Sequence, residues 1–207
     1  LPAIGETQTA VNTKFHYLTS IVADPNDDNL FYVSDRLTIR IVDNFRDLVQ
    51  LFYAECSTLL CEYMFIDAGH MFISSSKTLI DLELKTKTKA VITTASGRSR
   101  DSGSTDLRDG ALNGATTVLV LKTGLALLIA ERTQSRLRVI DLFQKKVHSI
   151  CSPLLGSPFS ENIDSCLLSF PRALLQFNSS HIFIGTNKGF RVLEGKRFLN
   201  SCNLLNL

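Results

Sequence analysis

A segment that occurs four times constrains this chain more than any other feature. Each copy is an apolar strand, a polar turn and a second apolar strand. The copies read FYVSDRLTIRIVD (31–43), MFISSSKTLIDLEL (71–84), LLIAERTQSRLRVIDL (127–142) and IFIGTNKGFRVLE (182–194). A short apolar run precedes every copy and another follows it, whereas no window keeps the 3.6-residue apolar period of a helix. The repeating unit is therefore four strands long.

A four-strand unit that recurs every 40 to 55 residues is typical of β-propeller blades. We predict an all-β chain of about four antiparallel four-stranded blades in a single domain, either alone or as part of a larger six-bladed ring. A β-sandwich or a solenoid with chance similarities is the alternative. The predicted blades are 15–56, 61–95, 116–151 and 167–203, with long inter-blade joins at 96–115 and 152–166.

The repeats resemble those of the NHL family of β-propellers. The stretch LTSIVADPNDDNLFYVSDRLTIRIVD (18–43) is similar to the family pattern, and ALLIAERTQSRLRVID (126–141) is similar to its second half. The join 96–115 follows the family's order of Gly-rich residues, Asp-Gly and Ala, with Gly97, Gly103, Asp109-Gly110 and Ala115. The usual Asn-Arg of the turn is missing, and the second copy is a weak match. The resemblance covers nearly the whole chain and implies a propeller.

The charge of the predicted loop face argues against a nucleic-acid partner, although some NHL propellers bind RNA. The net charge of the chain is only +2, and it has no tryptophan. The join 96–115 balances three arginines against three aspartates, and the second long join carries Glu161 and Asp164 with no cation. The turns between second and third strands sum to +2, so the face as a whole is close to neutral. Phosphate backbones require many cations, so we expect no nucleic-acid binding. The turn charges are those of Asp35, Arg36, Lys77, Glu131, Arg132 and Lys188.

The five cysteines lack the spacing of a zinc site, so they are either buried thiols or disulfides. In the predicted blade register, Cys56 and Cys61 bracket one join, and Cys151 and Cys166 bracket another. We predict a disulfide at each join, which favours an oxidising compartment. Cys202 would then pair beyond Leu207. Buried thiols in a cytoplasmic protein are the alternative.

Two further features concern localisation. Asn178 opens an Asn-Ser-Ser glycosylation sequon at a predicted turn between strands, where a glycan would be exposed. The longest apolar run is too short and too interrupted to span a bilayer, so we expect no transmembrane segment here. Together with the cysteines, the sequon favours a secreted or cell-surface glycoprotein.

We expect a non-enzymatic scaffold or adhesion module that binds another protein or further blades of its parent chain, with no cofactor and no metal. The alternative, suggested by related propellers, is a metal-dependent hydrolase or lyase. Its candidates are His16, Asp24 and Asp67, which fall on different faces and make a poor metal site. An RNA-binding propeller is a weaker alternative. The candidate binding residues lie on the loop face: Arg98, Arg100, Arg108, Arg132, Leu154, Leu155 and Phe159.

Overall fold

The fold is seen in a computed structural model of the chain. The residues that it describes are 7–9, 13–35, 37–56, 61–75, 78–93, 104–106, 112–121, 126–151, 168–178 and 181–194. None of them belongs to a helix long and apolar enough to cross a membrane.

In these segments β-strands form four antiparallel sheets. Sheet 1 contains β1 (Thr7–Thr9), β2 (Ser20–Asp24), β3 (Asp27–Ser34), β4 (Ile39–Asp43) and β5 (Leu48–Tyr53). Sheet 2 contains β6 (Tyr63–Asp67), β7 (His70–Ser74), β8 (Leu79–Glu83) and β9 (Lys89–Thr93). Sheet 3 contains β10 (Ser104–Asp106), β11 (Ala115–Val120), β12 (Ala126–Glu131), β13 (Arg136–Asp141) and β14 (Lys146–Cys151). Sheet 4 contains β15 (Ala173–Asn178), β16 (His181–Thr186) and β17 (Gly189–Glu194).

Within each sheet the strands of one repeat lie side by side in chain order, from β2 to β5, β6 to β9, β11 to β14 and β15 to β17. This is the meander of a propeller blade. The predicted all-β class and its four antiparallel blades are confirmed.

Sheet 2 has the predicted four strands, and the predicted last strand of blade 4 lies outside the described residues, but two other blades have more than four. Sheets 1 and 3 have five strands, because β1 and β10 pair with the outermost strands β5 and β14. Thr7 lies opposite Gln50, and Ser104 lies opposite His148. The outermost strand of a meander has a row of unpaired backbone groups, and a short segment ahead of the repeat satisfies part of that row. The join 96–115 therefore contains a strand and is not only a connector.

The repeat extends to the detail of the hairpins. Asp47, Lys87 and Lys145 occupy equivalent positions before the outermost strands β5, β9 and β14, and their φ angles are 54°, 58° and 55°. The outer strand pair is also irregular at the same place in two sheets, after Ile39 in sheet 1 and after Leu137 in sheet 3. Equivalent sequence positions thus have equivalent backbone conformations.

The chain divides into two compact units, Leu1–Ser75 with Ile80–Ala90 and Ser76–Leu79 with Val91–Leu207. In the first unit, residues of sheets 1 and 2 form one apolar cluster, which includes Tyr32, Phe52 and Met71. In the second unit, every residue of β12 and β13 is buried.

Candidate functional site

A buried carboxylate closes the turn between β3 and β4. Asp35 Oδ1 accepts hydrogen bonds from the backbone N–H groups of His16 (3.0 Å) and Tyr17 (2.7 Å). Asp35 Oδ2 lies 3.6 Å from Nη2 of Arg40, and both side chains are almost fully buried. The pair therefore holds the segment that leads into β2 against the turn of the same sheet.

Sheet 3 has the same arrangement in a more deeply buried form. Glu131 and Arg138 stand at the positions that Asp35 and Arg40 occupy in sheet 1. Glu131 Oε1 accepts the backbone N–H of Asn113 (2.6 Å) ahead of β11. The carboxylate also pairs with Nε of Arg136, and Nη1 of Arg138 lies 4.0 Å from it. These three charged side chains are wholly buried.

These observations correct one part of the sequence analysis, which counted Asp35 and Glu131 among the charges of an exposed face. Both are buried, because each lies beside an arginine from the next strand and accepts backbone N–H groups. The signal was present in the repeats: copies 1 and 3 have an acid at the end of the first strand and an arginine in the second. Copy 2 has Ser75 and Ile80 there, so the charged pair is absent from that sheet.

Of the seven predicted binding residues, the structure describes one. Arg132 is exposed in the turn between β12 and β13, where its backbone N–H donates to the carbonyl of Gly114 (2.8 Å). The other six, Arg98, Arg100, Arg108, Leu154, Leu155 and Phe159, lie outside the described residues and stay a prediction.

The predicted disulfide between Cys56 and Cys61 is present, with a Cα–Cα distance of 5.2 Å and both residues buried. The carbonyl oxygen of Cys61 accepts hydrogen bonds from the hydroxyl groups of Ser34 and Thr19, the latter at 3.0 Å. These hydrogen bonds hold Cys61 against sheet 1. Cys151 is the last residue of β14, whereas Cys166 and Cys202 lie outside the described residues.

Replacing both Cys56 and Cys61 by alanine is expected to lower the free energy of unfolding by about 2 kcal/mol, since the bridge closes a short loop in the unfolded chain. Urea unfolding of the wild type and of this double variant, each with and without a reductant, measures the difference. A double variant as stable as the oxidised wild type would contradict a stabilising bridge.

Among the remaining predicted residues, Asn178 and Asp24 contact neighbouring groups of their own sheets. Asn178 is exposed, and its Oδ1 lies 3.1 Å from Nδ1 of His181. Asp24 Oδ1 accepts the N–H of Asn26 (2.8 Å), and its Oδ2 accepts the hydroxyl of Tyr32 (2.9 Å). Burial, followed by this hydrogen bond, raises the pKa of Tyr32. Asp67 is exposed at the end of β6.

No metal cluster is formed by the described residues, since no three or more His, Cys, Asp or Glu side chains group suitably there. His16, the third enzyme candidate, is exposed, and its backbone N–H is bound to Asp35.

One surface that the sequence analysis did not select is an exposed apolar face of sheet 4. Leu175 lies opposite Phe183, which lies opposite Val192, so the three side chains share a face. The ring of Phe177 packs edge-on against that of Phe183, with 5.6 Å between centroids. Phe190 lies in the same face, opposite Gly185. We call these five residues (175, 177, 183, 190 and 192) the sheet-4 face.

The sheet-4 face is open to solvent. Leu175 is 62% exposed, Phe177 69% and Phe190 82%, whereas Ile182 and Ile184 on the opposite face are buried. Contiguous exposed apolar residues on a folded domain mark contact sites for other proteins. This face is the best-defined candidate site in the described part of the chain.

Neither a protein-family model nor a curated protein sequence matches the chain. Similar solved structures exist. Virginiamycin B lyase from Staphylococcus aureus has 10% identity and a TM-score of 0.49, over 91% of this chain and 73% of that one. An auxiliary nutrient binding protein from Bacteroides thetaiotaomicron VPI-5482 has 11% identity and a TM-score of 0.44, over 87% and 55%. This chain thus spans about half of the latter, and at these values neither likeness carries functional information.

Proposed function

We propose that this chain is a non-enzymatic protein-interaction module of the NHL type and that it belongs to a secreted or cell-surface protein. The observation that carries the proposal is the sheet-4 face. Removing apolar surface from water is favourable. A partner that covers Leu175, Phe177 and Phe190 therefore gains free energy on binding. Aromatic side chains are also enriched at the centres of protein interfaces.

The disulfide supports the extracellular part of the proposal. Cys56 and Cys61 are bridged, and both cysteines pack in the core of the first unit. Disulfides of this structural kind persist in oxidising compartments and are rare where glutathione keeps thiols reduced. A protein that carries one meets its partners outside the cytosol.

A capture experiment tests the proposal with matched variants. Phe190→Lys places a charge in the sheet-4 face, and Phe45→Lys makes the same change in the β4–β5 turn of sheet 1. Phe190 and Phe45 are both 82% exposed, so neither change removes core packing. We expect immobilised wild type and Phe45→Lys to retain the same proteins from extracellular fluid. The amount that Phe190→Lys retains should be lower by a factor of at least about ten.

Equal retention by all three proteins would contradict the proposal, because the sheet-4 face would then contribute nothing to partner binding. Circular dichroism spectra that match the wild type confirm that both variants are folded.

A further inference from the structure

Sheets 1 and 2 show how neighbouring blades pack in this chain. Val22, Tyr32 and Ile41 lie in one row across sheet 1, and all three belong to or pack on the cluster that contains Met64 of sheet 2. The first strands of the two sheets adjoin, since the backbone N–H of Met64 donates to Oγ of Ser20 (3.2 Å). One face of sheet 1 is thus built to receive sheet 2.

The sheet-4 face corresponds to the face of sheet 1 that is covered in this way. Leu175, Phe183 and Val192 form one row across β15, β16 and β17. In the repeat, this row is equivalent to the row from Val22 to Ile41 in sheet 1. The surface that packs on a further sheet in blade 1 is therefore exposed in blade 4.

The complementary half of such a contact is present on the same chain. In the contact between sheets 1 and 2, sheet 2 contributes Met64 and Ile73, which lie opposite each other. The equivalent pair in sheet 1 is Ile21 and Val33. Val33 is buried, but Ile21 is 67% exposed, and its neighbour Ala23 on the same face is exposed as well. Both halves of one blade–blade interface are therefore open, one at β15 and the other at β2.

We infer that two copies of this chain associate head to tail, the sheet-4 face of each covering the β2 face of sheet 1 of the other. This assignment rests on the proposed function and names its partner as a second copy. A twofold axis makes the two contacts identical and leaves neither face exposed, as in a closed symmetric oligomer.

Charge substitutions at the two halves test the inference by sedimentation velocity on the full chain with its disulfide intact. We expect the wild type to sediment as a dimer. Leu175→Asp and Ile21→Lys should each weaken dimerisation by roughly 100-fold or more, since each buries an unpaired charge in both contacts. Phe45→Asp, an equally drastic change in a turn away from both halves, should leave the dimer intact.

Mixing the two single variants is the most discriminating part of the experiment. In a dimer of one Leu175→Asp chain and one Ile21→Lys chain, one contact is wild type and the other sets the aspartate against the lysine. The mixture should therefore dimerise although neither variant does so alone. A wild type that is monomeric up to its solubility limit would overturn the inference. So would a dimer that Leu175→Asp breaks but Ile21→Lys does not, since like faces would then meet.

The outcomes separate this inference from the proposed function. A monomer whose capture of other proteins still depends on Phe190 removes the second copy as partner and leaves the interaction module standing. A monomer whose capture is indifferent to Phe190 removes both.

Discussion

Replacing Glu131 by alanine is expected to lower the free energy of unfolding by about 3–5 kcal/mol, because it removes one partner of a buried ion pair. Glu131 is wholly buried with Arg136 and Arg138 beside it, and it accepts the backbone N–H of Asn113. Removing the carboxylate takes from two buried guanidinium groups the negative charge that Glu131 supplies. It also leaves a backbone donor ahead of β11 without its acceptor.

Chemical unfolding in urea measures this loss, with two comparison variants. Glu55→Ala removes the acid of the exposed Lys89–Glu55 pair and the acceptor of the Tyr53 hydroxyl (3.1 Å), and it should lower the stability by no more than about 1 kcal/mol because such contacts contribute little. Glu131→Leu combined with Arg136→Met and Arg138→Leu should recover part of the loss, since apolar side chains then replace the buried ion pairs of Glu131. The explanation fails if Glu131→Ala loses no more stability than Glu55→Ala.

The sequence predicted the sheets well because their hydrogen-bonding pattern is local. An apolar run, a polar turn and a second apolar run pair as a hairpin whatever surrounds them, and four copies of this pattern indicate four blades. The strands β1 and β10 were missed because their residues carry no apolar signal. They pair through backbone groups with an open strand edge, and side chains do not encode that interaction.

The buried acids were misplaced for a related reason. An Asp or Glu in a turn is usually exposed, and only the arginine in the next strand indicates otherwise. The four copies differ at these two positions: Asp35 with Arg40 and Glu131 with Arg138 form ion pairs, whereas Ser75 with Ile80 do not. Comparing charged positions between repeats would have identified the pairs.

The sheet-4 face could not be predicted from the sequence, because burial depends on what lies beyond the sheet. Leu119 of β11 and Leu175 of β15 have equivalent positions in their repeats, opposite Leu128 and Phe183. Yet Leu119 is 4% exposed and Leu175 is 62% exposed. The local pattern around each residue is the same kind of apolar strand, so the difference comes from packing between sheets.

Alanine substitutions at these two leucines should have very different effects on stability. Leu119→Ala should lower the free energy of unfolding by about 2–5 kcal/mol, because it removes buried methyl groups and leaves a cavity beside Leu128. Leu175→Ala is the same substitution at the equivalent position of the next sheet. It should change the stability of the monomer by no more than about 0.5 kcal/mol, since the side chain is already in water.

Urea unfolding of both variants at the lowest workable protein concentration compares the monomers, since association would add a concentration-dependent term to the stability. Repeating the Leu175→Ala measurement at high concentration then reports on the partner. If the sheet-4 face is covered by a second copy, the wild type gains stability with concentration and this variant gains less. A Leu175→Ala variant that is as destabilised as Leu119→Ala at every dilution would mean that Leu175 is buried within the single chain, and the sheet-4 face would no longer be a site.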